Sequence, residues 1–380
     1  MFYLQTMRKI YLIFSLFLLY FQSIAQNKSL IKIALLMPFC AEEINQNSNH
    51  KNADLGNACR EYYQGLLIAA DSLKSAGYNI EITIFDTDRD TVKFKKILMS
   101  EAVQYADFII GPVIKEGQLM MQNFKNKKNA FHLSPLFTFT KTKINDERVI
   151  SAYPDLTFYA DYFVNYLNKN SSVGNIIVLV GKDVSDKSLA NYLKQIVKPE
   201  LPLKVKQIDL SKVTDIYKNL SKESDNYIFI ASDDENQINA ALKIIADTSN
   251  TYKMNTFSLR KILDFNIINT EYWLKSNLHI ISPFYVDYKD LLTKKFIETY
   301  RIYYETEPNE FAFVGYDQLI TTVSTFALTN GSFKDLNKMA PHSLLANRYL
   351  LKEKNNSSGL QNSYLHILKY TDEGLVEVGW

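Results

Sequence analysis

The stretch Ile31-Lys32-Ile33-Ala34-Leu35-Leu36-Met37-Pro38-Phe39 decides the fold. It is an apolar run of strand length closed by Pro38, and it reads as a buried strand entering a loop. A helix pattern follows over 60–75, with Leu66, Leu67, Ala70 and Leu73 on one face and Gly77 at the C-cap position. Ile80-Glu81-Ile82-Thr83-Ile84-Phe85 then alternates and stops at Asp86-Thr87-Asp88, the pattern of a second strand. Strand, helix and strand at this spacing make a βαβ unit, which needs a parallel sheet with helices on its faces.

The rhythm continues outward. A helix over 91–103 carries Val92, Phe94, Ile97 and Leu98. Asp107-Phe108-Ile109-Ile110 is a short strand ended by Gly111-Pro112, a helix covers 116–124, and a strand over 130–133 leads into Ser134-Pro135. After a looser region, 140–151, a second series begins. Helices are expected over 155–167, 187–197 and 235–246, and strands over 175–180, 203–208, 227–231 and 255–259. Leu278-His279-Ile280-Ile281-Ser282 reads as a further strand, ended by Pro283-Phe284. Helices follow over 288–304 and 317–328. The tail, 363–370 and 375–378 around Asp372-Glu373-Gly374, suits two strands and a tight turn. Two βα series imply two α/β lobes.

At the amino end, Arg8 and Lys9 precede an apolar run over 10–21, and Ser23-Ile24-Ala25 supplies small residues at a cleavage position. This is the form of a signal peptide over 1–25. The apolar run is shorter than the ~20 residues a spanning helix needs, so no stable membrane span is expected after cleavage. Arg8 and Lys9 carry the whole formal charge of +2. The remainder is balanced, which argues against nucleic acid as a partner. Apolar residues make up 47% of the chain, with 25 Tyr and 23 Phe, enough for real cores.

Export places Cys40 and Cys59 in an oxidising compartment. A disulfide between them would tie the polar loop they flank, a constraint of ~3 kcal/mol in a chain-entropy account. The alternative is two free, partly buried thiols.

No motif supports an enzyme. His50, His132, His279, His342 and His366 are scattered, without HxxxH or HExxH spacing. GxSxG, the phosphate-loop pattern and GxGxxG after the first strand are all missing. Asp86, Asp88 and Asp90 lack the central Gly and terminal Glu of a calcium loop and read as a loop and helix cap. No cofactor or metal is expected.

Several segments in this order resemble the bacterial periplasmic solute-binding proteins of the branched-chain amino acid type, substrate-binding components of ABC transporters. They are Ile33 to Pro38, Tyr63-Gln64-Gly65 with Ala69-Ala70, Ile84-Phe85-Asp86-Thr87 with Asp90, Ile109-Ile110-Gly111-Pro112-Val113, Ser134-Pro135, and Pro308 to Phe313 with Gly315-Tyr316-Asp317. The resemblance implies the type 1 periplasmic binding fold: two Rossmann-like lobes with parallel central sheets, joined by three crossovers. It implies a first lobe of 30–138 plus 286–328 and a second of 139–282 plus 329–380, with ligand held in the gap beyond the strands' carboxyl ends. It also implies a bacterial protein in the periplasm or secreted.

By the same resemblance, two loops of the first lobe hold a ligand carboxylate. Here they carry Lys115 and Glu116, where the family has serines, and Leu136, Phe137 and Thr138. Thr138 keeps a hydroxyl, while Phe137 intrudes on a small polar ligand. Lys115 and Glu116 either pair with ligand or with each other, or stand solvated at a loop edge. In the second lobe, Asp233 could serve an amine. Arg260 stands near the family's carboxylate and favours an anionic group on the ligand. Position alone adds Phe39, Asp86 and Tyr285; Phe284 is read as packing and Asp317 as fixing a helix start. Two functions follow: capture of a small polar or amino-acid-like solute, or an envelope protein-interaction module similar to the activators of peptidoglycan synthases.

Overall fold

Strand β1 (Ile31–Met37) is buried along almost its whole length because parallel neighbours flank it on both edges and helices cover both its faces. Ile31, Ile33, Leu35 and Met37 enter one core and Ala34 and Leu36 the other, as a period of two requires. The computed structural model describes residues 29–46, 51–121, 124–135, 146, 148–169, 173–200, 205–267, 269–329, 344–353 and 359–378. The expected signal peptide lies outside them.

The first lobe continues with α1 (Ala41–Gln46), α2 (Ala53–Ser75), β2 (Ile80–Asp86), α3 (Thr91–Leu98), α4 (Glu101–Gln104), β3 (Phe108–Ile110), α5 (Lys115–Met121), β4 (Phe131–Ser134) and β5 (Val149–Ser151). The second lobe follows with α6 (Leu156–Lys169), β6 (Val173–Val180), α7 (Val184–Glu200), β7 (Val205–Asp209), β8 (Asp225–Ala231), α8 (Glu235–Thr248), β9 (Met254–Leu259), α9 (Thr270–Lys275) and β10 (Leu278–Ser282). The chain returns to the first lobe through α10 (Leu291–Tyr304), α11 (Glu310–Leu328), β11 (Leu351–Glu353) and β12 (Leu360–Asn362). It ends in the second with β13 (His366–Thr371) and β14 (Gly374–Glu377).

Each lobe holds one seven-stranded sheet, in the orders β11-β12-β5-β4-β3-β1-β2 and β14-β13-β10-β9-β8-β6-β7. The central strands are parallel; β11, β13 and β14 add antiparallel edges. Three segments cross between the sheets: 152–155, 283–290 and 363–365. The lobe boundaries shift from the sequence division. Val149–Ser151, Leu351–Glu353 and Leu360–Asn362 pair in the first sheet, so the stretches beginning at 139 and 329 are not second-lobe segments throughout. Three-residue strands carry too little alternation to be read.

Helices α2 and α11 pack closely because glycine faces backbone on both sides. A Cβ on Gly65 would lie 1.8 Å from the Ala312 carbonyl oxygen, and one on Gly315 would lie 2.0 Å from that of Tyr62. Nearby, Tyr62 Oη donates to Gln318 Oε1 at 2.7 Å, and Gln318 Nε2 donates to the Pro135 carbonyl at 2.9 Å. This joins both helices to the end of β4. Asp317 does not open a helix: α11 starts at Glu310, capped by Asn309, whose side chain accepts from the amides of Phe311 and Ala312. Asp317 lies fully buried inside it, accepting the backbone amides of Leu345 at 2.9 Å, Ala346 at 2.8 Å and Asn347 at 2.8 Å.

Two predictions follow from this packing. Gly65→Ala should lower the unfolding free energy by about 3 kcal/mol or more, since a backbone carbonyl cannot yield as a side chain can; an unchanged urea midpoint would refute the close contact. Asp317→Ala orphans three buried amides and should cost several kcal/mol, at about 1–3 kcal/mol each. Burial pushes the Asp317 carboxyl up to about 7 against the pull of those amides. With the folded value above the unfolded one, the native state binds the extra proton between them. The stability advantage over the alanine variant should therefore be largest near pH 4 and shrink as pH rises through 7. An advantage that grew with pH would contradict this sign.

Candidate functional site

The carboxyl ends of the parallel strands carry most of the residues singled out by sequence. After β1, Phe39 packs edge-to-face on Tyr63, with centroids 5.9 Å apart, as a half-buried edge of the core. After β2, the Asp86 carboxylate accepts the amides of Cys40 at 3.1 Å, Ala41 at 3.0 Å and Asp88 at 3.0 Å. Burial pushes its carboxyl up, but the amides of Ala41, Asp88 and Cys40 outweigh this and hold it below the usual range. Asp86 therefore organises the loop.

Those hydrogen bonds tie the base of the loop where a disulfide was an open expectation. Cys40 and Cys59 are free thiols, both buried. Cys40 sits in the left-handed region at φ 52°, and Cys59 belongs to the core face of α2. Burial, with Asp86 and Glu43 nearby, raises the Cys40 thiol to about 11; burial and then Cys40 raise Cys59 to about 12.

Beyond β3, Gly111 adopts φ 92°, and a Cβ there would meet the Leu36 carbonyl oxygen at 2.1 Å. The chain then enters α5, whose first turn presents Lys115 and Glu116 to solvent. Leu136, Phe137 and Thr138 lie outside the described residues.

In the second lobe, Asp234 caps α8 through the Gln237 amide at 3.1 Å and pairs with Lys182 at 3.0 Å. Asp233, just before that cap, is open to water on one side. Desolvation on the other holds its carboxyl above the usual range; Lys261 pulls it down, and Asp183 and Asp264 add to the rise. Arg260 follows β9 and is the centre of the arrangement. Its guanidinium donates to Asp264 at 2.8 Å and to Glu310 across the lobes, and lies 4.6 Å from the Phe284 ring centroid. Burial raises the Glu310 carboxyl, which Arg260 counters and Asp264 reinforces. Tyr153 in the first crossing, hydrogen-bonded to Tyr159, lies within reach of the same charges.

A cavity of about 770 Å³ opens beside this pair, between the second crossing, the start of α11 and the β13–β14 hairpin. Arg260, Phe284, Tyr285, Tyr288, Glu310 and Tyr370 line it, drawn from both lobes. A second cavity of about 390 Å³ lies on the other side of the crossing and shares Tyr285 and Asp287. It is bordered by Arg348, His366 and Glu377; His366 Nδ1 and Glu377 Oε1 are 2.7 Å apart. Tyr285 is pinned between the two cavities, its amide donating to Ala346 at 2.8 Å and its hydroxyl to the Leu375 carbonyl at 3.3 Å.

The structure thus brings Arg260 and Tyr285 to one interlobe cavity, places Asp233 near Arg260's charged neighbours, and leaves Lys115 and Glu116 in solvent. Glu310, Tyr288 and Tyr370 were not legible as site residues. Phe284, read as packing, both packs on the first-lobe core and lines the cavity. Arg260→Ala should leave Glu310 unpaired and Asp264 with Lys261 alone, and cost about 1–3 kcal/mol. Arg260→Lys should recover only part, because an ammonium cannot fork to two carboxylates. Equal urea midpoints for wild type and Arg260→Ala would mean that water, not the pair, satisfies these groups.

No protein-family model matches the sequence, and no curated protein sequence is similar to it. Solved structures are similar to it in shape. A branched-chain amino acid ABC transporter protein from Rhodospirillum rubrum superposes with a TM-score of 0.68 at 12% identity, covering 92% of this chain and 100% of its own. A branched-chain amino acid ABC transporter periplasmic ligand-binding protein from Burkholderia xenovorans LB400 gives 0.65 at 10%, covering 92% and 94%. An ABC transporter substrate-binding protein from Desulfitobacterium hafniense, in complex with Leu, gives 0.56 at 16%, covering 92% and 100%. Identities this low speak to fold, and with two mixed, mostly parallel sheets joined by three crossings, the chain has the type 1 periplasmic binding fold.

Proposed function

We propose that this chain is an exported, non-enzymatic receptor that captures a small solute between its lobes, for delivery to an ABC importer. The observation that carries this reading is the cavity of about 770 Å³ lined from both lobes around Arg260. Its volume lies in the ~300–1,000 Å³ range of small-molecule sites. The fold's three crossings are the connection through which such lobes close on a ligand. Support also comes from the similar proteins, one in complex with Leu and another, from R. palustris, with benzoate at a TM-score of 0.51. Among the described residues no helix is long and apolar enough to cross a membrane. The leader-like 1–25 segment supports a periplasmic or secreted location.

One observation favours the competing role of an envelope protein-interaction module. Tyr288, which lines the cavity, is 63% exposed, and Leu291, three residues on, is 81% exposed. Large apolar groups side by side in water mark contact surfaces more often than chance.

A thermal-shift screen of amino acids, carboxylates and amines separates the two. A solute at a hundredfold excess over its Kd should add about 2.7 kcal/mol to apparent stability, with a smaller radius of gyration in solution scattering as the lobes close. Absence of any shift, together with specific retention of an envelope protein that Tyr288→Ser and Leu291→Ser abolish, would replace the solute reading by the interaction reading.

A further inference from the structure

We infer that the solute taken by this cavity is a small organic cation with an apolar body, an amine or quaternary ammonium, in place of an amino acid or a carboxylate. This rests on the solute-binding reading above and adds the chemical class to it.

The first ground is the state of Arg260. Read alone, an arginine at the end of β9 invites an anion. In the structure its guanidinium already holds two carboxylates, Asp264 at 2.8 Å and Glu310 from the other lobe. An anionic ligand would have to compete with both, and displacing Glu310 would leave it unpaired in a partly dry site, which is costly. The second ground is the charge of the surrounding wall. Glu310 lines the cavity beside Arg260, which also pairs with Asp264, itself met by Lys261. At the outer end Lys289 and Glu373 neutralise each other at 3.9 Å, while Asp287 adds a further carboxylate. Among the cavity's lining residues three carboxylates, Asp287, Glu310 and Glu373, meet two cations, Arg260 and Lys289, although the chain as a whole is close to neutral. The excess is local, and a local field selects ligands. The raised carboxyl of Glu310 is consistent with this: the positive charge near it does not offset its burial.

The third ground is aromatic. Phe284, Tyr285, Tyr288 and Tyr370 line the same cavity. Aromatic faces attract cations within ~6 Å of the ring centroid, most strongly when water is excluded. The wall already holds one cation this way, the Arg260 guanidinium 4.6 Å from the Phe284 centroid. A small inorganic ion would gain little from four rings; an organic cation gains burial of its apolar body as well.

Isothermal titration of the mature chain with choline, phenethylammonium, benzoate and leucine tests this. Either ammonium probe should bind about tenfold or more tighter than benzoate and leucine, and weaken as sodium chloride is raised. Glu310→Gln and, at an exposed lining position where folding is not at stake, Asp287→Asn should each weaken the ammonium probe about fivefold to tenfold. Glu310→Gln should also improve benzoate, by releasing Arg260. Tight binding of benzoate or leucine without binding of either ammonium probe overturns the cation assignment and leaves solute capture standing. Binding of none of the four, with no thermal shift in the wider screen, overturns both.

Discussion

The Asp317 carboxylate, buried inside α11 and holding three backbone amides, is the interaction on which the rest of the site depends. A buried carboxylate is costly unless donors surround it, and here they are the consecutive amides of Leu345, Ala346 and Asn347. The segment so fixed holds the second crossing in turn. The Ala346 carbonyl accepts from the Tyr285 amide, and the Asn347 side chain donates to the Pro283 carbonyl at 3.4 Å. Phe284 and Tyr285, two of the cavity's rings, therefore stand where α11 puts them. The same helix begins with Glu310, the partner of Arg260. Its own position is set by the reciprocal glycine contacts with α2. A chain of short-range constraints thus runs from helix packing in one lobe to the wall of the gap.

Much of the fold is legible in sequence because burial writes periodicity. The runs at β1, β2, β6 and β8 are long enough for alternation or an unbroken apolar stretch to stand out, and helices such as α8 carry a clear apolar face. What escapes is short or buried on all sides. β5, β11 and β12 have three residues each, and Leu360-Gln361-Asn362 is largely polar, paired only because neighbouring backbone requires partners. The start of α11 was missed by seven positions because Ala312 to Leu319 is buried without a break, which erases the amphipathic signal.

The site is less legible for a related reason. A sequence shows where a charge stands and hides what meets it. Arg260 could be placed at the end of a strand, and its preference for anions seemed to follow. Glu310, fifty positions away and in the other lobe, already occupies its guanidinium, and nothing local in either segment announces the pairing. Asp86 is similar: its place at a strand end was visible, but its partners are backbone amides, which every residue except proline carries and no pattern marks.

The two carboxylates that organise the molecule differ in what they permit. Asp317 is sealed, and releasing it would strand three amides, so the link between α11 and the second crossing stays fixed while the lobes move. The Arg260–Glu310 pair is only partly shielded, with side chains 14% and 31% exposed, and both groups can rehydrate as the lobes part. Coulomb attraction in such a pair nearly balances the desolvation of its members, so opening costs little and closing adds little. That is the arrangement a closable receptor requires: a pivot that does not yield, and across the gap a contact strong enough to orient the lobes but too weak to lock them.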